Sequence, residues 1–263
     1  MNGPPLPPAE GEGQPASGNG GPGPHLSVVI PAYNEEERLP DTIRTVEAFL
    51  EKQPWDWELI VVDDGSADRT AEAAREAFRH PASRAVSLPQ NQGKGAAIRR
   101  GMLEEARGKY RLFTDADNST PIEELPGLLR KAEEEGYGVA IGSRALRDSK
   151  LEVRQPFYRE MMGRFFNLIV QMVAVPGIRD TQCGFKLFTA EAAGYVFPRQ
   201  QLQGFSFDVE LLMLARRGGF RIAEVPVRWI NSPASRVSPI RDSLRMFMDV
   251  LRVRLRGVKE PEK

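Results

Sequence analysis

The chain has 263 residues, 41% of them hydrophobic and 27% charged, with 36 basic and 36 acidic side chains. A balanced charge argues against a general nucleic-acid binder. A single cysteine, Cys183, excludes an intrachain disulfide or a cysteine metal cluster and suits a reducing cytoplasm.

Residues 1–24 hold seven glycines and seven prolines and almost no large apolar side chain. Such a segment cannot bury enough surface to offset its ordering entropy, so a disordered tail is expected there, with the fold beginning at 25. The start lacks the basic-then-apolar pattern of a signal peptide. No apolar run reaches the ~18–20 residues that span a bilayer.

The first predicted strand is Leu26–Ile30, stopped by Pro31, and an acid-rich turn then leads into a helix with Ile43, Val46, Phe49 and Leu50 at helical spacing. The second strand, Glu58–Val62, ends in Asp63-Asp64-Gly65-Ser66, and a helix opens at Ser66 or Asp68. A third strand at Ala85–Leu88 is followed by Asn91-Gln92-Gly93-Lys94-Gly95 and a helix to Ala106. The fourth strand, Tyr110–Thr114, runs into Asp115-Ala116-Asp117-Asn118-Ser119. A helix over 122–135 and a strand over Gly138–Gly142 complete the alternation.

Strand–helix alternation from 26 to 142 predicts an α/β fold with an open, mostly parallel sheet and helices on both faces. In such sheets the strand carboxyl ends share one edge, where ligands bind. Glu35, Asp63, Asp64, Lys94, Asp115, Asp117 and Arg144 all follow strand ends or lie in the loops there. Two carboxylates two residues apart suit a hard dication; the alternative is a polar turn with Asp as a helix cap. Gly93-Lys94-Gly95 lacks the upstream glycine and the Ser/Thr of a P-loop. No Gly-x-Gly-x-x-Gly follows the first strand, which argues against a dinucleotide site. What remains is equipment for a nucleoside diphosphate: acids for a dication and the polar nucleoside edges, basic groups for phosphates.

After Arg144 the pattern changes. Residues 157–175 form an expected helix, apolar on most sides, that either joins the core or contacts lipid. Arg179–Phe188 reads as a loop leading into a strand, Phe207–Arg217 as a helix, and Arg221–Val227 as a strand placed at a sheet edge by Pro226. Over 240–256, Leu244, Phe247, Met248, Leu251 and Leu255 share one stripe, beside Arg241, Arg245, Arg252 and Arg256. That is either a membrane-surface helix or one packed on the domain. The expected division is thus a tail over 1–24, an α/β domain over 25–239 and a basic amphipathic helix with its tail over 240–263.

Seven motifs follow one another: Val28–Glu35, Val62–Ser66, Asn91–Gly95, Asp115-Ala116-Asp117, Gly142-Ser143-Arg144, Asp180–Lys186 and Phe207–Glu210. In this order they resemble family 2 glycosyltransferases of the GT-A fold, and within them the polyprenyl- and dolichyl-phosphate hexosyltransferases. The last two motifs are more similar to the glucosyltransferase branch than to the mannosyltransferase branch. The resemblance implies that Pro31, Tyr33, Glu35 and Asp63 hold base and ribose, with Asp64 in the same donor pocket. It implies that Asp115 and Asp117 bind Mg²⁺ or Mn²⁺, that Lys94 lies near the donor, and that Arg144 and Arg236 lie near the phosphates. Some relatives offer a Gln where this chain has Ser119. The expected reaction is inverting transfer of a hexose, glucose from UDP-glucose before mannose from GDP-mannose, to a polyprenyl phosphate. The expected place is the cytoplasmic membrane face, with peripheral attachment. Asp208 or Glu210 would be the base if the acceptor were instead a soluble hydroxyl.

Overall fold

The computed structural model describes residues 23–151, 175–204 and 206–230. The helices expected over 157–175 (Val175 apart) and 240–256 lie outside the described residues, as do Arg236 and residues 1–22 of the expected tail.

Nine strands and six α-helices occur among the described residues. The strands are β1 Leu26–Ala32, β2 Trp57–Asp63, β3 Ser83–Ser87, β4 Tyr110–Thr114, β5 Val139–Ser143, β6 Lys150–Leu151, β7 Phe185–Thr189, β8 Ile222–Pro226 and β9 Arg228–Trp229. The helices are α1 Leu39–Leu50, α2 Thr70–Ala77, α3 Lys94–Arg99, α4 Leu125–Glu133, α5 Ala190–Val196 and α6 Phe207–Arg217. Seven strands form one sheet in the order β3-β2-β1-β4-β7-β5-β8, and β6 pairs with β9 in a separate two-stranded ladder.

Every residue of β1 and β2 is buried, because helices cover both faces of the sheet. The alternation of strand side chains divides the core. Val28, Ile30, Leu59, Val61 and Leu112 pack with α1, α2 and α4. Val29, Ile60, Val62 and Phe113 pack with α3, α5 and α6. Pro31 is compatible with a central strand because the ladder between β1 and β4 has already ended at Val29 and Phe113. Pro226 lies on β8, the edge strand, as its missing N–H predicts.

The sheet differs from a purely parallel one in a single strand. β7 enters between β4 and β5 and is antiparallel to both, whereas β1 pairs in parallel with β2 and β4, and β5 pairs in parallel with β8. The carboxyl ends of β1, β2, β3, β4, β5 and β8 therefore meet on one edge. β7 runs the other way, so its beginning, with Asp180–Gly184 just ahead of it, comes to that same edge.

Candidate active site

The first wall is built from the ends of β1 and β2. Tyr33 stands at the end of β1 and is 38% exposed, unusual for a large aromatic ring. Asn34 follows with φ +53°, a left-handed conformation that Asn tolerates; its Oδ1 accepts from the Ala67 N–H and its own N–H donates to Ser66 Oγ. Glu35 turns its carboxylate onto Arg38, at 2.8 and 2.7 Å, while its N–H donates to Thr70 Oγ1. Asp63 Oδ1 accepts from the Ser66 N–H at 3.1 Å and the Ser66 hydroxyl at 2.5 Å. These bonds lock two strand-end loops together.

Asp64 acts on a different loop. Its two carboxylate oxygens accept the N–H groups of Gln92 and Gly93, each at 2.8 Å. Burial raises its pKa, against the pull of those two N–H groups. From the other side, Gln203 O accepts the Gly95 N–H at 2.7 Å and Gln200 Nε2 donates to Gly95 O at 2.9 Å. Gly93 has φ +102°, and a Cβ there would stand 2.5 Å from Gln203 O, so this loop admits only glycine. Glu210 in turn accepts the N–H groups of Gln201 and Leu202 at 2.8–3.1 Å. Lys94, the first residue of α3, is thus carried by a loop clamped from both sides.

The Lys94 ammonium donates to Asp115 Oδ1 at 2.5 Å. Burial would lower its pKa, but the carboxylates of Asp115 and Asp208 outweigh that and raise it. Asp115 follows β4, as expected, and is half-buried. Gly184 lies flat against its carboxylate: a Cβ built there would stand 2.5 Å from Oδ1 and overlap Oδ2. Asp117 Oδ1 accepts the Ser119 N–H at 3.0 Å, and Asn118 between them has φ +50°. The two acids therefore border a tight turn. No group of three or more His, Cys, Asp or Glu side chains suited to a metal occurs among the described residues.

Arg144 leaves the end of β5 and grips Asp180 with Nε and Nη2, at 2.7 and 2.9 Å; its backbone N–H adds a third bond at 2.9 Å. Burial alone would raise the Asp180 pKa, but the guanidinium holds it down at about 2. The Trp229 ring lies 5.5 Å from the guanidinium carbon. Behind this wall, Lys186 on β7 is 0% exposed and pairs with Asp208 in the first turn of α6. Burial pushes Asp208 up, against the pull of Lys186 and Lys94. Burial also raises the Cys183 thiol to about 11.

The structure gathers the carboxylates of Asp115, Asp208 and Asp117 around the Lys94 ammonium, which bonds to Asp115. It joins Arg144 to Asp180, while Glu35 is turned onto Arg38. Asp180, Gly184 and Lys186 are visible in the sequence within one motif. What gives them work is the antiparallel insertion of β7, which strand periodicity does not announce.

The family described as glycosyl transferase family 2 matches residues 27–197. A dolichyl-phosphate beta-glucosyltransferase of Dictyostelium discoideum is 40% identical over 244 residues, covering 88% of this chain and 74% of the relative. Glucosyl-3-phosphoglycerate synthase of M. tuberculosis superposes with a TM-score of 0.66 at 22% identity, over 88% of this chain and 81% of that one. The same synthase has been crystallised with Mn²⁺, UDP-glucose and phosphoglyceric acid; that structure gives a TM-score of 0.62 at 23% identity, over 87% and 78% of the two chains. The likeness to these solved structures shows the fold, an open sheet with one inserted antiparallel strand, and the sequence match adds the lineage: the chain belongs to glycosyl transferase family 2.

Proposed function

We propose that this chain transfers glucose from UDP-glucose to a dolichyl or related polyprenyl phosphate, inverting the anomeric carbon. The observation that carries this reading is the 40% identity to a dolichyl-phosphate beta-glucosyltransferase over 88% of the chain. The geometry supports it, since one sheet edge gathers an exposed aromatic ring, a carboxylate pair, a clamped lysine and an arginine.

In this reading Tyr33, Pro31 and Glu35 border the uracil, and Asp63 the ribose. Asp64 acts one step back, by holding the loop that presents Lys94. Asp115 and Asp117 hold a Mg²⁺ or Mn²⁺. The donor set fits such an ion, since both residues offer hard carboxylate oxygens and a cation, the Lys94 ammonium, already stands 2.5 Å from Asp115 Oδ1. When bound, the ion neutralises the departing diphosphate. Ser119 or water would offer a further oxygen ligand.

Lys94 and Arg144 place positive charge on two sides of the same edge. Asp180 occupies the Nε–Nη2 side of Arg144, which leaves the Nη1 side to meet a phosphate. Arg236 would add a second such group. The acceptor phosphate oxygen forms the new bond to the anomeric carbon while the bond from that carbon to the UDP oxygen breaks. The attacking oxygen is already ionised, since the second phosphate pKa is about 6. No side chain must take a proton from it, which agrees with Asp208 being committed to Lys186.

No helix among the described residues is long and apolar enough to cross a membrane. We assign the chain to the cytoplasmic membrane face, attached peripherally through the stretches 157–175 and 240–256. Incubation with labelled UDP-glucose, Mn²⁺ or Mg²⁺ and dolichyl phosphate should yield lipid-extractable label. Label from GDP-mannose but not UDP-glucose would transfer the assignment to mannose, and thermal shift with UDP against GDP checks the base. Label appearing only on a soluble hydroxyl acceptor would overturn the lipid reading.

A further inference from the structure

Lys186 is a buried charge that the proposed reaction does not use. It sits on β7 opposite Phe113 of β4 and Ile141 of β5, and its neighbours Phe113, Phe188 and Phe207 are fully buried. Its ammonium donates to Asp208 Oδ1 and, at 2.6 Å, to Cys183 O, and stands 5.4 Å from the centre of the Phe113 ring. A buried ion pair is seldom more stabilising than an apolar pair of the same volume, so packing alone does not call for one here. The charges that act on Asp208 are Lys186, Lys94 and Asp115. Four alternating charges thus run from the core to the sheet edge: Lys186, Asp208, Lys94, Asp115.

The order of these charges matters. Three carboxylates act on Lys94, Asp208 on the buried side and Asp115 and Asp117 at the edge, and it bonds to Asp115. In a medium of low dielectric an uncompensated Asp208 would attract the nearest ammonium strongly. Lys186 satisfies that carboxylate from behind. We propose that Lys186 is a positioning residue for the donor site: by saturating Asp208 it keeps the Lys94 ammonium outward, on Asp115, where the diphosphate is to bind. The inference rests on the donor-site reading of Lys94 and Asp115 above. Lys186 touches no reacting atom and acts through Asp208 and Lys94.

The test is UDP affinity by calorimetry in the presence of Mn²⁺, with melting temperature measured alongside. Lys186→Gln keeps hydrogen-bond donors toward Asp208 and Cys183 O but removes the charge. It should weaken UDP binding about tenfold where Lys94 is present and less than about twofold in a Lys94→Met background, as expected for residues acting in series. A merely structural role would give the same loss in both backgrounds, and that result, or no loss at all, overturns the proposal. If Lys186→Gln does not fold, Lys186→Met combined with Asp208→Leu takes its place, since removing both charges leaves no buried carboxylate to compete for Lys94. That pair should bind UDP within about threefold of the unmodified chain, and a tenfold loss would overturn the proposal. If Lys94→Met alone leaves UDP affinity unchanged, the donor-site reading itself fails and the proposal goes with it, an outcome recognisable without any change at Lys186.

Discussion

Gly184 and Asp115 are in direct apposition: the bare Cα of the one faces the carboxylate of the other so closely that a Cβ would stand 2.5 Å from Oδ1. Gly184→Ala must therefore displace the Asp115 side chain or push β7 back. Overpacking of this kind costs about 1–3 kcal/mol. The expected outcome is a lower melting temperature together with at least a tenfold loss in binding of UDP with Mn²⁺, seen by calorimetry. Unaltered binding would show that Asp115 can reach the cation from another rotamer.

Asp180 sets an acid limit on stability. Its carboxyl titrates at about 2 in the fold against an ordinary value of 3.8, because Arg144 favours the charged form. A lowered carboxylate pKa contributes stability that is fully present above pH 3.8 and disappears as pH falls through about 2. The shift corresponds to about 2 kcal/mol. Denaturant titrations at pH 5, 3 and 2 should show the unmodified chain losing about that much more than Asp180→Asn across the interval. Parallel losses in the two proteins would contradict the pairing.

In the proposed donor site a cation and Lys94 would contend for Asp115. Mn²⁺ should bind the protein without UDP weakly, and at least tenfold more tightly with it, because the diphosphate would add hard oxygen ligands. Lys94→Met should raise the affinity for Mn²⁺ alone by about threefold, through loss of a competing ammonium, while weakening UDP. Calorimetric titration of Mn²⁺ with and without UDP reads both effects. Tight binding to the protein alone would mean that further protein groups complete the site.

Asp64 holds two N–H groups that an amide cannot hold equally well. Asp64→Asn keeps one acceptor oxygen and places an NH₂ against the second N–H. The cost is about 1–3 kcal/mol, concentrated in the loop over 90–95. Hydrogen exchange at Gln92 and Gly93 should quicken, and KM for the sugar nucleotide should rise more than kcat falls. A change in kcat alone would place Asp64 nearer the chemistry than its hydrogen bonds do.

The strands β1, β2 and β4 were legible in the sequence because a strand covered on both faces is a continuous apolar run. The loops that follow them were legible because their acids and glycines stand at the strand ends. The place and direction of β7 were not. Periodicity gives a strand's faces but not its neighbours, and the partners of Phe185–Thr189 lie in β4 and β5. Lys186 within that strand has its partner, Asp208, 22 residues on, where periodicity does not look. Arg144 likewise reads as a free cation until Asp180 closes on it from 36 residues away. Glu35 is a different case, since its pairing with Arg38 three residues on was open to a local reading. Helix α5, short and rich in alanine and glycine, carries no periodic signal to read.

The position of β7 also dictates an order of assembly. β4 and β5 are separated by one helical crossover, yet they meet only through a strand that leaves the ribosome about forty residues later. Until then the nascent chain can close β3, β2, β1 and β4 into one slab, with β5 and its later partner β8 unattached. Long-range pairings of this kind slow folding. They also mean that a chain ending before Gly184 would carry Asp115 on an open sheet margin, without the backbone that packs against its carboxylate. The wall behind Asp115 would then arrive late, when the last interior strand is laid and the two halves of the sheet become one.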